Sequence, residues 1–169
     1  MKILIISLPR TGSTSLTNRI AKDNNLKPIL EPFDVQNRVI YSGEDDVVLK
    51  TLIDQTHPIG KQDYVNYWFN KSIEFDKVIL LSRKDLKACA ESMAYLDYNQ
   101  QYGYQYNQKY EWYLTPNFNK FYKHIIRMND ELHKLSKLLN IKIIYYEDIF
   151  DLNSEERLRI GNIKLNKLI

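Results

Sequence analysis

The sequence predicts a three-layer α/β fold in which a central, mostly parallel β-sheet is flanked by helices. Three observations carry this expectation. Short, continuous apolar runs recur along the chain, as expected of strands buried on both faces. Segments of helical period lie between them, and strands alternating with helices build a parallel sheet through right-handed crossovers. The chain has 169 residues, 44% hydrophobic and 27% charged, which suits one globular domain spanning 1–169 and excludes a disordered chain.

The elements follow in order. Lys2 to Ser7 (KILIIS) reads as the first strand and Thr14 to Asp23 as the first helix. Pro28 to Leu30 is a short strand, and Val47 to Leu52 (VVLKTL) another. Gln62 to Lys71 is helical, and Lys77 to Ser82 (KVILLS) is a strand. Asp85 is placed to cap a helix with Leu86, Cys89, Met93 and Leu96 on one face. Thr115-Pro116 pairs a cap residue with proline at the first helical position. The helix that follows carries Phe118, Phe121, Ile125, Met128, Leu132, Leu135 and Leu139 at steps of three and four. Ile141 to Tyr146 (IKIIYY) is the last strand, and Asn153 with Glu156 forms a capping box for a final short helix. Tyr95 to Tyr113 holds seven of the 13 tyrosines and, lacking a clean period, reads as a long loop or irregular helix. It is either ordinary packing or a substrate-facing lid.

Charge and cysteine content narrow the function. With 24 Lys+Arg against 21 Asp+Glu the formal charge is +3, and the basic residues are dispersed, so no nucleic-acid partner is implied. Cys89 is the only cysteine. No intrachain disulfide or cysteine zinc site can form, which fits a cytoplasmic protein. The runs Ile3 to Ile6 and Val78 to Leu81 are far short of the ~20 residues of a membrane span. Pro9 and Arg10 interrupt the first apolar run, so it reads as a strand and not a signal peptide. His124 and His133 have no metal-ligand partner at i+4, and no metal site is expected.

Ligands of such sheets bind at the carboxyl ends of the strands. The loop after the first strand, SLPRTGSTSL, offers a positive charge on Arg10 and a permissive backbone at Gly12. The hydroxyls of Thr11, Ser13, Thr14 and Ser15 and the amides of a helix start complete an anion cradle. The fold is therefore expected to be P-loop-like. Aligning Gly12 with the second glycine of a Walker loop puts Ser7 at the first glycine and Ser13 at the lysine, so the lysine that reaches the β- and γ-phosphates is missing.

This strand, loop and helix resemble the 5′-phosphosulfate loop of sulfotransferases that use 3′-phosphoadenosine 5′-phosphosulfate (PAPS). Other motifs extend the resemblance. KVILLSRKDLKACAES is similar to the family's 3′-phosphate site, which would assign that phosphate to Arg83 and Ser92, nine residues apart. VVLKTL resembles the strand that carries the catalytic Lys-Thr-His, with Lys50 and Thr51 matching and Leu52 standing where the histidine would be. IKIIYYEDIF resembles the late Tyr-Glu-Asp-Leu strand, with Glu147 and Asp148 read as structural caps. The C-terminal Arg-Lys-Gly segment has no match, and Arg157 or Arg159 would have to replace it. The resemblance implies metal-free, in-line transfer of a sulfonate from PAPS to a hydroxyl acceptor, a carbohydrate or small alcohol. Arg10 and the Gly12 loop would hold the phosphosulfate, and Lys50 would steady the bridging oxygen.

The general base has two candidates. Glu31 ends the short Pro28 to Leu30 strand on the rim of the crevice, and the resemblance admits a glutamate base. His57, in THP after the Lys50 strand, titrates near neutrality. Glu31 is preferred. Two other functions compete with sulfonate transfer: a P-loop-like, magnesium-dependent phosphotransferase, and a non-catalytic nucleotide- or RNA-binding module using Arg83 and the tyrosines. Each residue also has a plainer reading. The loop would be an ordinary strand-to-helix turn, Arg83 would pair with Asp85, Glu31 and His57 would be solvated turn residues, and Cys89 would be core.

Overall fold

The computed structural model describes residues 1–34, 41–55, 63–102 and 117–149, with the backbone alone described over 98–102. Five parallel strands form one sheet. They are β1 (Lys2–Ser7), β2 (Lys27–Leu30), β3 (Val47–Leu52), β4 (Lys77–Ser82) and β5 (Ile143–Tyr145), in the order β2-β3-β1-β4-β5. The helices are α1 (Ser13–Asn24), α2 (Tyr64–Ser72), α3 (Leu86–Tyr102), α4 (Phe118–Leu139) and the short α5 (Tyr146–Ile149). This is the three-layer, P-loop-like α/β fold that the alternation of apolar runs implies.

Strand alternation sorts the core into two layers. Leu4, Ile6, Val47, Leu49 and Leu80 point to one face, where Trp68 of α2, Cys89 and Ala90 of α3, and Ile125, Met128, Leu132 and Leu135 of α4 cover them. Ile3, Ile5, Val48, Ile79 and Leu81 point to the other, under Leu16 and Ile20 of α1 and Ile149 of α5. Ile3 to Ile6 are wholly buried, and each such side chain is worth about 1.5–3 kcal/mol relative to exposure. Covering both faces of the central strands explains why β1 reads as an unbroken apolar run.

The ends of elements follow local chemistry. Asp85 accepts from the Ala88 amide at 2.9 Å, capping α3 as expected. Asp63 accepts from the Asn66 amide at 3.2 Å and starts α2 at Tyr64. Pro28 sits in β2, an edge strand, where its missing N–H is tolerated.

Some expectations are refined, and others fall outside the described residues. The tyrosine-rich segment is helical as far as Tyr102, because α3 continues through it, and 103–116 lie outside the described residues. Thr115 and Pro116 fall among those. The described start of α4 has Asn117 at the cap position, with its side chain donating to Asp97 at 2.7 Å and not to its own helix. β5 has three residues where six were expected. Ile141 is held instead by the end of α4, its amide donating to the Ser136 carbonyl at 3.1 Å beside a left-handed Asn140. Asn153, Glu156, Arg157 and Arg159 lie outside the described residues.

Candidate functional site

A cleft of about 620 Å³ opens over the carboxyl ends of β1, β2, β3 and β4. The Pro9–Ser15 loop, Glu31, Lys50, Leu52, Arg83, Ser92 and Tyr146 line it. Arg10, Thr11, Gly12, Ser13, Thr14, Ser15, Arg83, Ser92, Glu31 and Lys50, singled out from scattered parts of the sequence, thus share one cavity. His57 lies outside the described residues.

The floor is pinned by the sheet. Beyond β1 the Leu8 amide donates to the Leu81 carbonyl at 3.1 Å, and the Ile53 amide donates to the Ser7 carbonyl at 3.1 Å. Gly12 caps α1 in the left-handed region, at φ 68°, and its carbonyl accepts from the Leu16 amide at 3.1 Å to close the first turn. The amides of the first helical turn have no intrahelical acceptor and carry the positive end of the helix dipole. Thr11 and Ser13 are buried, and Thr14 and Ser15 are exposed. The Thr11 Oγ1 donates to the Leu8 carbonyl at 2.8 Å, which makes it a brace of the loop.

One rim of the cleft is cationic. Arg10 donates through Nε to the Ser92 hydroxyl at 2.8 Å. Arg83, just past β4, lies with its guanidinium 4.7 Å from the centre of the Tyr146 ring, and its Nη1 is 3.5 Å from the Arg10 carbonyl. Its Nε stands 3.5 Å from a Glu147 oxygen. No hydrogen bond forms at that separation, so this buried nitrogen has no hydrogen-bond partner among the described residues. Asp85, the partner of Arg83 in the plainer reading, accepts from the Ala88 amide at the start of α3. Glu147 accepts from the Lys84 and Asp85 amides at 2.9 and 3.2 Å, the structural role read from the sequence. Burial pushes the Cys89 thiol up to about 11, against the pull of nearby Arg83, so it stays protonated at neutral pH.

The opposite rim is a carboxylate network. Leu30 is the register partner of Lys50, and the chain turns sharply after it: Glu31 is left-handed at φ 52°, and its amide donates to the Lys50 carbonyl at 2.6 Å. The Lys50 ammonium, almost wholly buried, pairs with Glu31 Oε1. Gln55 Nε2 donates to Glu31 Oε2 and to Asp34 Oδ2, each at 3.0 Å. Burial pushes the Glu31 carboxyl up, but hydrogen bonds from Lys50 and Gln55 and the Lys50 charge outweigh it and hold the group below its usual range. Asp54 opposes them weakly and is itself 3.0 Å from His124 Nε2.

Backbone strain singles out the same place. Five non-glycine residues among those described have positive φ: Arg10, Asn25, Glu31, Asp46 and Asn140. Asn and Asp tolerate this region, and Asn25 and Asn140 end helices there. Arg10 and Glu31 do not belong to those types, and both line the cleft. Each such conformation costs of order 1–3 kcal/mol and persists where surrounding structure imposes it. Sequence reasoning missed Tyr146 in the lining of the cleft and Gln55 behind it. Tyr146 had a signal, since it follows the last strand; Gln55 had none.

No family model matches the chain, and no curated protein matches it. Two solved structures resemble it end to end. The YorR protein of Bacillus subtilis, in complex with phosphorylated GDP, superposes with a TM-score of 0.49 at 10% identity, covering 100% of this chain and 99% of that one. Deoxyadenosine kinase from M. mycoides, with bound dATP, gives a TM-score of 0.48 at 13% identity, covering 99% of each.

The sulfotransferase resemblance is corrected here. Two of the solved structures matched over the full chain are a protein complexed with phosphorylated GDP and a deoxyadenosine kinase, and neither is a sulfotransferase. Sulfonate transfer, PAPS as cosubstrate and membership of that enzyme family are withdrawn together. The physical reason for the misreading is that PRTGSTSL and the arginine after β4 are what any phosphate-binding strand-loop-helix needs. The Ser92 hydroxyl, which the resemblance would assign to a 3′-phosphate, accepts from Arg10.

Proposed function

We propose that the cleft binds the phosphates of a nucleoside triphosphate and transfers its γ-phosphoryl group to an acceptor hydroxyl, as a P-loop-like phosphotransferase. The observation that carries this reading is the facing of two built rims across one cavity. The Gly12 loop with Arg10 and Arg83 stands opposite a buried Lys50 joined to a strained Glu31. The first rim receives anionic oxygens, through amides at the start of α1 and the forked donors of the arginines. The second supplies a carboxylate kept ionised at neutral pH, which a general base requires.

The reaction is a single displacement. The acceptor oxygen attacks the γ-phosphorus while the bond from that phosphorus to the β,γ-bridging oxygen breaks. The electron pair leaves with the diphosphate, and the acceptor proton passes to Glu31. Lys50 keeps Glu31 deprotonated until then and places a positive charge beside the transferring group. Arg10 and Arg83 supply from the side the charge that a Walker lysine would give.

No group of three or more potential metal-ligating side chains is found among the described residues; magnesium, bound with the triphosphate, would neutralise part of its charge. The donor set fits such a hard cation through the Thr14 hydroxyl, which occupies the Walker Ser/Thr position. A nucleotide substrate suits a cytoplasmic setting, and no helix among the described residues is long and apolar enough to cross a membrane.

The test is the fate of the γ-phosphate. ATP and GTP, offered with magnesium and a panel of nucleosides and small alcohols, should yield diphosphate and either a phosphorylated acceptor or slow phosphate release to water. EDTA should stop it. Triphosphates left intact across the panel would overturn the reading.

A further inference from the structure

We propose that Gln55 is a positioning residue that holds Glu31 in its strained, ionised, cleft-facing state, an inference that rests on the reading of Glu31 as the base. Gln55 does not line the cleft and acts through its neighbours. Every polar atom of its side chain has a partner. Oε1 accepts from the Leu52 amide at 2.8 Å and from the Thr51 hydroxyl at 3.3 Å, which fixes the amide against the end of β3. Nε2 then directs its two hydrogens at Glu31 Oε2 and Asp34 Oδ2, each at 3.0 Å.

The geometry explains how two carboxylates are tolerated side by side. Asp34 closes the turn that carries Glu31, its amide donating to the Glu31 carbonyl at 3.1 Å, so the Asp34 charge lies next to the base. A single amide group between two carboxylates donates to both, where a like charge between them would repel both. The anchoring on β3 gives this donor a fixed direction, and Lys50 engages the other oxygen of Glu31 from the same strand. Both oxygens are thus held by β3 and the turn after it. This leaves little freedom for the side chain to relax out of its left-handed backbone.

Among the described residues, charged groups around Glu31 include Lys50 of β3, Asp34 of its own turn and Asp54 after β3, the last beside His124 of α4. Lys50 favours the carboxylate, and so does the neutral Gln55. Removing the amide therefore leaves Asp34 and Asp54 less opposed.

The experiment follows Glu31 directly, by ¹³C-carboxyl NMR titration of the full chain. Gln55→Leu keeps the volume and removes the donors; it should move the Glu31 titration up by about one pH unit. Gln55→Glu keeps the acceptor for the Leu52 amide but loses the donor and adds a third carboxylate, and should move it at least as far. Basal hydrolysis of ATP with magnesium should show its acid limb displaced to higher pH in step, with KM for ATP within about twofold of the parent. A Glu31 titration unchanged in either folded variant overturns the positioning role. Failure of the parent protein to hydrolyse or transfer from ATP overturns the phosphotransferase reading instead and leaves the titration result standing.

Discussion

The two rims of the cleft are built on opposite principles. On the β2–β3 side the charges answer one another: a buried lysine, a carboxylate and a bridging amide form a network with its partners in place before any ligand arrives. On the β1–β4 side Arg10 donates to a neutral hydroxyl, and Arg83 Nε, 3.5 Å from a Glu147 oxygen, has no hydrogen-bond partner among the described residues. On the proposed reading, this difference separates the rim that performs chemistry from the rim that receives charge. A self-satisfied network keeps a group in one protonation state and one position, as a base requires. Under-used cations over a helix start have electrostatic capacity left for an anion.

Breaking the carboxylate rim should have the larger effect on turnover. Glu31→Gln is expected to lower γ-phosphate transfer by about 100-fold or more while leaving nucleotide affinity nearly intact, in steady-state kinetics beside calorimetric binding. Breaking the cationic rim should do the reverse. Arg10→Gly is expected to weaken ATP·Mg binding by about 10- to 100-fold, the loss of a charge-assisted contact. Glycine also relieves the left-handed backbone at φ 60°, so its melting temperature should equal or exceed that of the parent. Equal stability with lower affinity would mark the strain as functional.

Lys50→Met separates the rims on stability. It strands Glu31 in a half-buried network, and because the carboxylate side chain keeps 29% of its exposure the cost should be about 1–3 kcal/mol in denaturant melts. The smallest effect is on pH. The folded Glu31 pKa is depressed from its ordinary 4.5. Its contribution to stability is therefore fully present above about pH 4.5 and lost as pH falls through the lower folded value. Glu31→Gln should flatten that part of the acid unfolding curve, measured by circular dichroism.

The legibility of the two rims also differed, for physical reasons. Strands buried on both faces announce themselves as KILIIS, VVLKTL and KVILLS, and a phosphate loop needs Gly12 next to hydroxyl residues, so β1, β3, β4 and the cationic rim could be read in one dimension. Glu31 was readable because it ends an apolar run. Gln55 was not, since its role depends on Oε1 meeting the Leu52 amide and Nε2 meeting two carboxylates from a distant turn. The substrate was misread for a related reason. Donors that cradle one phosphorylated group cradle another, and short motifs record the donors without the leaving group.

The central claim is tested most directly by calorimetric titration of the parent protein and Arg10→Gly with ATP·Mg and, separately, with 3′-phosphoadenosine 5′-phosphate. The account predicts saturable ATP·Mg binding at one site, weakened in Arg10→Gly, and tighter than binding of the 3′-phosphorylated nucleotide. Tight binding of 3′-phosphoadenosine 5′-phosphate with no detectable affinity for ATP·Mg would contradict it.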